Sequence, residues 1–428
     1  MAWKRSLRNP CQRAWVLYDV GNSAFATTIM AVLFPLFYAR ILAVSLGEAR
    51  GAALWGYVAG GALLLSAVIA PLAGSFGDLR GKRKLGLAVF TATGVAATGG
   101  MAFLSQGAWG AGLALLAVGM TSFSLASIFY DAFLVHLASP EDRSGLSSAG
   151  YAFGYLGGGV LLVANVAMVF LLPGLWGFRL AFASVALWWA LLTLPLLRRV
   201  SEPPAEAEGA DIGAVWRRPL NTLRSMREHP NQLRFLVAFW LYNDGIGTIM
   251  KMGVIFGSSL GIAEGHLLGA LVATQFVGIP CTMLFGRLAE VWGTKRALLA
   301  SLAGYGVISL GILFVHGVWH FWILALSIGV VQGGAQALSR SLYAELIPPE
   351  RSAEYFGFYD MSSKFAGILG PFLFALLADL SGSLRVGAPV LVLFFLTGMV
   401  LLRKVEVPMR ERKNAAEECL VKEVSEIS

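Results

Sequence analysis

Apolar runs of about 18 to 25 residues, the length that crosses a bilayer's hydrocarbon core, recur along nearly the whole chain. Such a chain has few choices, and each run is predicted as a membrane-spanning helix. Twelve spans are legible, at roughly 14–38, 53–76, 85–105, 109–132, 146–172, 177–197, 234–257, 265–288, 296–315, 319–341, 353–378 and 386–403. The expected fold class is all-α integral membrane. Composition agrees: 57% of residues are hydrophobic and 14% charged, and 50 glycines suit helices that pack closely in lipid. Met1 to Arg13 is basic, and the run behind it is too long for a signal-peptide core, so no cleavable leader is expected.

Basic residues between the runs set the orientation. Lys4, Arg5, Arg8 and Arg13 precede the first span, and Arg80, Lys82, Arg83 and Lys84 follow the second. The centre holds Arg198, Arg199, Arg217, Arg218, Arg224, Arg227 and Arg234. Loops on the other side offer little beyond Arg40, Arg50, Arg179 and Arg385. Both termini and the central loop are therefore expected in the cytoplasm, which requires an even number of spans. The net charge of +8 lies between apolar runs. It belongs with anionic lipid headgroups rather than nucleic acid.

The domains expected are an N-terminal bundle (1–198), a linker (199–233), a C-terminal bundle (234–404) and a tail (405–428). Pro203, Pro204, Glu206, Glu208 and Asp211 stop the sixth span. Residues 212–227 read either as an amphipathic helix on the membrane surface, anchored by Trp216, or as a plain flexible linker. The tail is charged and polar, and reads as disordered or loosely helical.

The halves repeat. Gly74-Ser75-Phe76-Gly77-Asp78-Leu79-Arg80-Gly81 is answered, half a chain later, by Gly286-Arg287-Leu288-Ala289-Glu290-Val291-Trp292-Gly293, and a basic cluster follows each. Trp15 to Gly21 is answered by Phe239 to Gly245, and Ser139-Pro140-Glu141-Asp142-Arg143-Ser144 by Pro348-Pro349-Glu350-Arg351-Ser352. Three matched pairs in the same order mark a parallel duplication. The two glycine-acid-basic loops resemble the paired signature loops of the major facilitator superfamily, although Leu79 stands where that family usually has a basic residue. More narrowly, Trp15 to Asp19, Asn22 to Phe25 and Phe34-Pro35, with Tyr242 to Gly245, Gly357 to Tyr359, Lys364 and Gly370-Pro371, resemble the vacuole-effluxer-like family. That family joins fungal autophagy-linked amino-acid effluxers to bacterial relatives. The resemblance implies two pseudo-symmetric six-helix bundles that work by alternating access.

Charges inside a bilayer are costly, about 2.5 to 3.5 kcal/mol at mid-helix on insertion scales, and persist where they pair or line a wet cavity. In this superfamily the first, fourth, seventh and tenth spans line the central cavity and the eleventh borders it. On that basis Asp19, Asn22, Tyr242, Asn243, Asp244, Lys251 and Lys364 are candidates for substrate or proton handling. Asp244 and Lys364 fall near mid-helix and are expected either to divide a zwitterion between them or to neutralise one another. Asp131, Arg340 and Glu345 fall near the cytoplasmic ends and read as a gate, together with Asp78, Arg83 and Glu290. An acid at position 78 is favoured at a positive helix N-terminus.

Gly154 and Gly158 in the fifth span permit close packing. The Gly-Pro pair common in that helix of drug antiporters is absent there, and Gly370-Pro371 stands in the eleventh span instead. Cys11, Cys281 and Cys419 are scattered and suggest neither a disulfide framework nor a metal site. His316 and His320 flank a short turn and read as exposed rather than ligating. The chain carries no zinc-protease helix motif, nucleophile elbow or nucleotide-binding Gly-Lys-Ser/Thr loop, so no enzyme, no cofactor and no direct ATP drive are expected. The reading is a secondary transporter of small solutes, with amino acids or related zwitterions foremost. Its partners are that small-molecule substrate, a coupling proton or other ion, and the lipid bilayer. The expected setting is a bacterial cytoplasmic membrane, as a monomer. The alternatives are an exporter of amphiphilic or drug-like compounds and, from another class, a substrate-sensing receptor.

Overall fold

The computed structural model describes residues 7–206, 212–228 and 230–407. The tail beyond residue 407, and the acids Glu208 and Asp211, lie outside the described residues. Every sequence-derived span is a helix in the same order. The N-terminal half contains α1 (Pro10–Leu42), α2 (Glu48–Arg80), α3 (Arg83–Met101), α4 (Trp109–Leu137), α5 (Arg143–Leu171) and α6 (Trp176–Arg199). The linker contributes α7 (Ile212–Glu228). The C-terminal half contains α8 (Pro230–Ser259), α9 (Glu264–Trp292), α10 (Thr294–Gly311), α11 (Val318–Leu346), a broken pair α12 (Ser352–Phe365) and α13 (Leu369–Ser381), and α14 (Ala388–Arg403). Glycine and threonine thin out α3, and Asn243, Asp244 and Lys251 lower the hydropathy of α8. The remaining 10 spans are long and apolar enough to cross a membrane by length and composition alone.

The two repeated loops end their helices by the same device. Gly81 closes α2 with φ +57° and Gly293 closes α9 with φ +87°. An L-side chain is strained there, which is why glycine holds both places. α1 is α-helical to Ala24 and then π-wound over Phe25–Leu33 and Tyr38–Leu42. Pro35 lies between the two π segments and has no N–H to give the preceding turn.

The halves meet through α2 against α12 and through α5 against α9 and α11. At the end that carries the linker they are tightly apposed. A Cβ on Gly74 would overlap the Ala353 carbonyl, and one on Gly357 would lie 2.6 Å from the Ala70 carbonyl oxygen. Small residues let backbones approach closely in this way. Toward the far end the halves part, leaving an apolar chamber of about 470 Å³ between α1, α5, α8 and α9. α7 excludes the flexible-linker reading of residues 212–227. It is a helix that buries Val215 and Met226 against the bundle and leaves Trp216 and Leu220 exposed.

Candidate functional site

A cavity of about 410 Å³ lies between the halves and shares Thr27, Ala31 and Gln275 of its lining with the far-end chamber. Arg340 of α11 is its centre. The side chain is buried, and its guanidinium sits 4.3 Å from the ring centre of Tyr151, 4.8 Å from Trp15 and 5.3 Å from Tyr130. It donates to Asp131 Oδ1 at 3.1 Å, to Asp19 Oδ2 at 3.5 Å and to Ser147 Oγ at 2.9 Å. Tyr130 donates to the same Asp19 oxygen at 2.9 Å. Asp19, Asp131 and Tyr130 belong to the N-terminal half and Arg340 to the other, so this cluster ties the halves together inside the cavity. A planar guanidinium suits it, since it can donate in several directions and stack on aromatic faces at once.

A second charged pair lines the same cavity. Lys364 Nζ donates to Asp360 Oδ1 at 2.9 Å, and Ser124 donates to the other Asp360 oxygen at 2.7 Å. Asn22, Tyr242, Asn243, Gln332 and Gln336 add hydrogen-bonding groups around the same space. Tyr242 shares a 2.7 Å hydrogen bond with Ser339. The cavity thus offers cations, anions, amides and aromatic faces within one enclosure.

Four candidates are placed differently from the sequence reading. Asp131 and Arg340, expected at the gate, line this cavity instead. Their helices run on to Leu137 and Leu346, beyond the predicted ends, so both residues lie more than a turn deeper. Asp244 does not reach the cavity and does not pair with Lys364. Its Oδ1 accepts the N–H groups of Gly367 at 2.6 Å and Gly370 at 3.0 Å. Lys251 also lies off the cavity and donates to the Gly367 carbonyl at 2.9 Å. The cause is the break between α12 and α13, where Gly367 takes φ +96°. A broken helix exposes N–H and C=O groups, which a carboxylate and an ammonium satisfy.

The linker end is sealed by polar contacts. Asp78 is fully buried; its carboxylate takes Arg83 Nε at 2.6 Å and the N–H groups of Ala353 and Glu354 at 3.2 and 2.8 Å. Those two N–H groups open α12, so an acid of one half caps a helix of the other. Arg83 also donates to the Glu350 carbonyl at 2.7 Å and the Pro204 carbonyl at 3.3 Å. Arg143, in the repeated Pro-Glu loop, crosses to the Ala344 carbonyl at 2.9 Å. Glu345 accepts from Thr294 Oγ1 at 2.7 Å, and Glu290 lies in the last turn of α9, at the place matching Asp78.

Sequence reasoning missed the linker's share in this seal. Glu202 accepts the first N–H groups of α3, from Arg83 at 2.8 Å and Lys84 at 2.7 Å. Burial pushes the Glu202 carboxyl up, and those N–H groups pull it back. From α7, Arg218 Nε reaches Glu354 Oε2 at 2.8 Å, Thr222 reaches Oε1 at 2.6 Å, and Arg218 also pairs with Glu206. Burial lowers the Arg218 guanidinium and Glu354 raises it. An acid in the first turn of the eleventh span and an arginine inside the linker were the available signals.

The comparisons with known proteins agree with this geometry. The family model described as vacuole effluxer Atg22 like matches residues 44–416. An uncharacterized MFS-type transporter of Bacillus subtilis, YxiO, is 34% identical over 401 residues, covering 91% of this chain and 94% of its own length. Autophagy-related protein 22 of Yarrowia lipolytica is 26% identical over 65% of this chain, and the match spans 53% of that longer protein. Among solved structures, the human organic anion transporter MFSD10 (TETRAN) superposes with a TM-score of 0.76 over 92% of this chain and 99% of its own, at 16% identity. The proton:xylose symporter XylE gives 0.71 over 93% and 96%, at 14% identity. With twelve spans in two six-helix halves around a polar cavity, this multi-pass membrane protein belongs to the vacuole effluxer Atg22-like family of major facilitator transporters.

Proposed function

We propose that the chain is a secondary active transporter of small zwitterionic metabolites, amino acids foremost, that works by alternating access. The observation that carries this is the central cavity. Asp19 and Asp131 from one half face Arg340 from the other, with Asp360 and Lys364 lining the same space. A zwitterion meets both its needs there: its carboxylate competes for Arg340 or Lys364 and its ammonium for the acids. Competing for groups that tie the halves together gives a solute leverage on the equilibrium between states, because only differential binding shifts populations. Protonation of one of these acids would couple the same switch to a proton gradient. The linker end is taken as cytoplasmic from its basic residues, in a bacterial inner membrane. The functional units are the bundles 1–198 and 234–404, in a monomer. Asp78 and Arg83 hold the cytoplasmic gate, with Glu290 and Glu345 at its matching positions.

A second reading, export of amphiphilic compounds, is favoured by one observation: the apolar chamber of about 470 Å³ adjoins the polar cavity. A panel of amino acids, dipeptides and amphiphilic cations screened for thermal stabilisation of the purified protein separates the two, since a ligand of the folded state raises its stability. Hits are then followed as flux in reconstituted vesicles. Zwitterions that stabilise the wild type but not Arg340→Lys support the first reading. Stabilisation by amphiphiles alone, unaffected by that substitution, overturns it.

A further inference from the structure

Outside the transport path, an apolar groove of about 560 Å³ runs where α7, α8 and the break between α12 and α13 meet. Its walls include Leu223, Val237, Trp240, Phe365, Ile368 and Phe372. Several are open to the surroundings: Val237 is 38% exposed, Ile368 55% and Phe372 62%. It continues onto the exposed side of α7, where Trp216 is 64% and Leu220 63% exposed. Patches of this kind mark lipid or partner contact.

The charge at its mouth is mainly positive, with Glu228 at the end of α7 the acid beside it. Arg234 lies one turn before Val237 on α8, and Arg227 one turn after Leu223 on α7, with Arg224 beside it. All three are exposed, and among the described residues no carboxylate pairs with them. Val237 and Trp240 follow Pro230, the start of α8, by about 10 to 15 Å at 1.5 Å per residue. The arginines therefore stand at headgroup level while the groove runs into the hydrocarbon. We propose that this groove is a binding site for one anionic phospholipid of the linker-side leaflet, with its headgroup on Arg224, Arg227 and Arg234 and an acyl chain against the helix break. Charge complementarity selects the occupant, since three guanidiniums favour a headgroup of net negative charge over a zwitterionic one whose phosphate is offset by its own cation.

The test uses the full chain purified in detergent, with phosphatidylglycerol and phosphatidylcholine offered at equal mole fraction and retained lipid counted by native mass spectrometry. The wild type is expected to retain one phosphatidylglycerol preferentially, by about fivefold for each arginine engaged. Replacing the three arginines with glutamine removes the preference but leaves weak retention of both lipids. Val237→Trp fills the groove and reduces retention of both lipids. Unchanged elution and melting temperature show that the variants remain folded, and an exposed Arg234→Gln alone serves if the triple variant does not. Equal retention of the two lipids by the wild type overturns the proposal. So does undiminished preference in the arginine variants, or displacement of the lipid by millimolar inorganic phosphate, which would mark a plain anion site.

Discussion

Asp78→Asn tests the gate most directly, and its magnitude follows from which contacts cross between halves. The 2.6 Å pair with Arg83 lies within the N-terminal half, so it survives opening and cancels. The N–H groups of Ala353 and Glu354 belong to the other half and are lost when the linker end opens. Hydrogen bonds to a charged acceptor contribute about 1.5 to 3 kcal/mol each and neutral ones about 0.5 to 1.5. Asparagine keeps one oxygen, without charge, and turns an NH₂ group toward donors. The closed state therefore loses roughly 2.5 to 4.5 kcal/mol relative to the open one, a shift of about 60- to 2,000-fold in their ratio. The assay is the rate of thiol labelling at single cysteines introduced near the linker end and in the far-end chamber, in a background free of reactive cysteines. Linker-end labelling should rise and chamber labelling fall, with transport reduced and membrane insertion intact. Unchanged labelling at both positions, with normal transport, would refute the reasoning.

Lys364→Gln should lower flux in vesicles at least tenfold while the melting temperature holds, because its pair with Asp360 lines a wet cavity; full flux sinks this. Asp244→Asn should instead act on stability, by about 1 to 2 kcal/mol as expected for a weakened helix cap, read by thermal unfolding. If Asp244→Asn impairs flux with no loss of stability, the carboxylate has a transport role that its position at the break does not explain. Arg340→Lys retains the charge but not the multiple donors, and should cut flux more than tenfold relative to folded yield. Glu354→Gln removes the anchor for Arg218 and Thr222 of α7, so limited proteolysis within 199–228 should speed by roughly tenfold; cleavage at the wild-type rate would show that α7 is held by its apolar face alone.

Hydropathy was enough to establish the twelve spans and their order, because a bilayer imposes one length and one kind of surface on every crossing, and three matched motifs marked the duplicated halves. The acid of the repeated loop was legible for the same local reason: Asp78, Arg83 and Gly81 lie within one turn-and-loop unit, and each has a counterpart half a chain away. Depth was less legible. The polar residues that line a wet cavity lower the hydropathy of their own helices, so the spans carrying Asp131 and Arg340 were drawn short and both were placed at the gate. The break at Gly367 left no clear mark either, since the apolar run continues through it. Only the packed bundle turned Asp244 and Lys251 onto that break and away from Lys364. It also brought Glu202 to the start of α3 and Arg218 to Glu354, partners more than a hundred residues apart in the chain. Such contacts depend on where helix ends meet in space, and spacing along a chain carries no record of that.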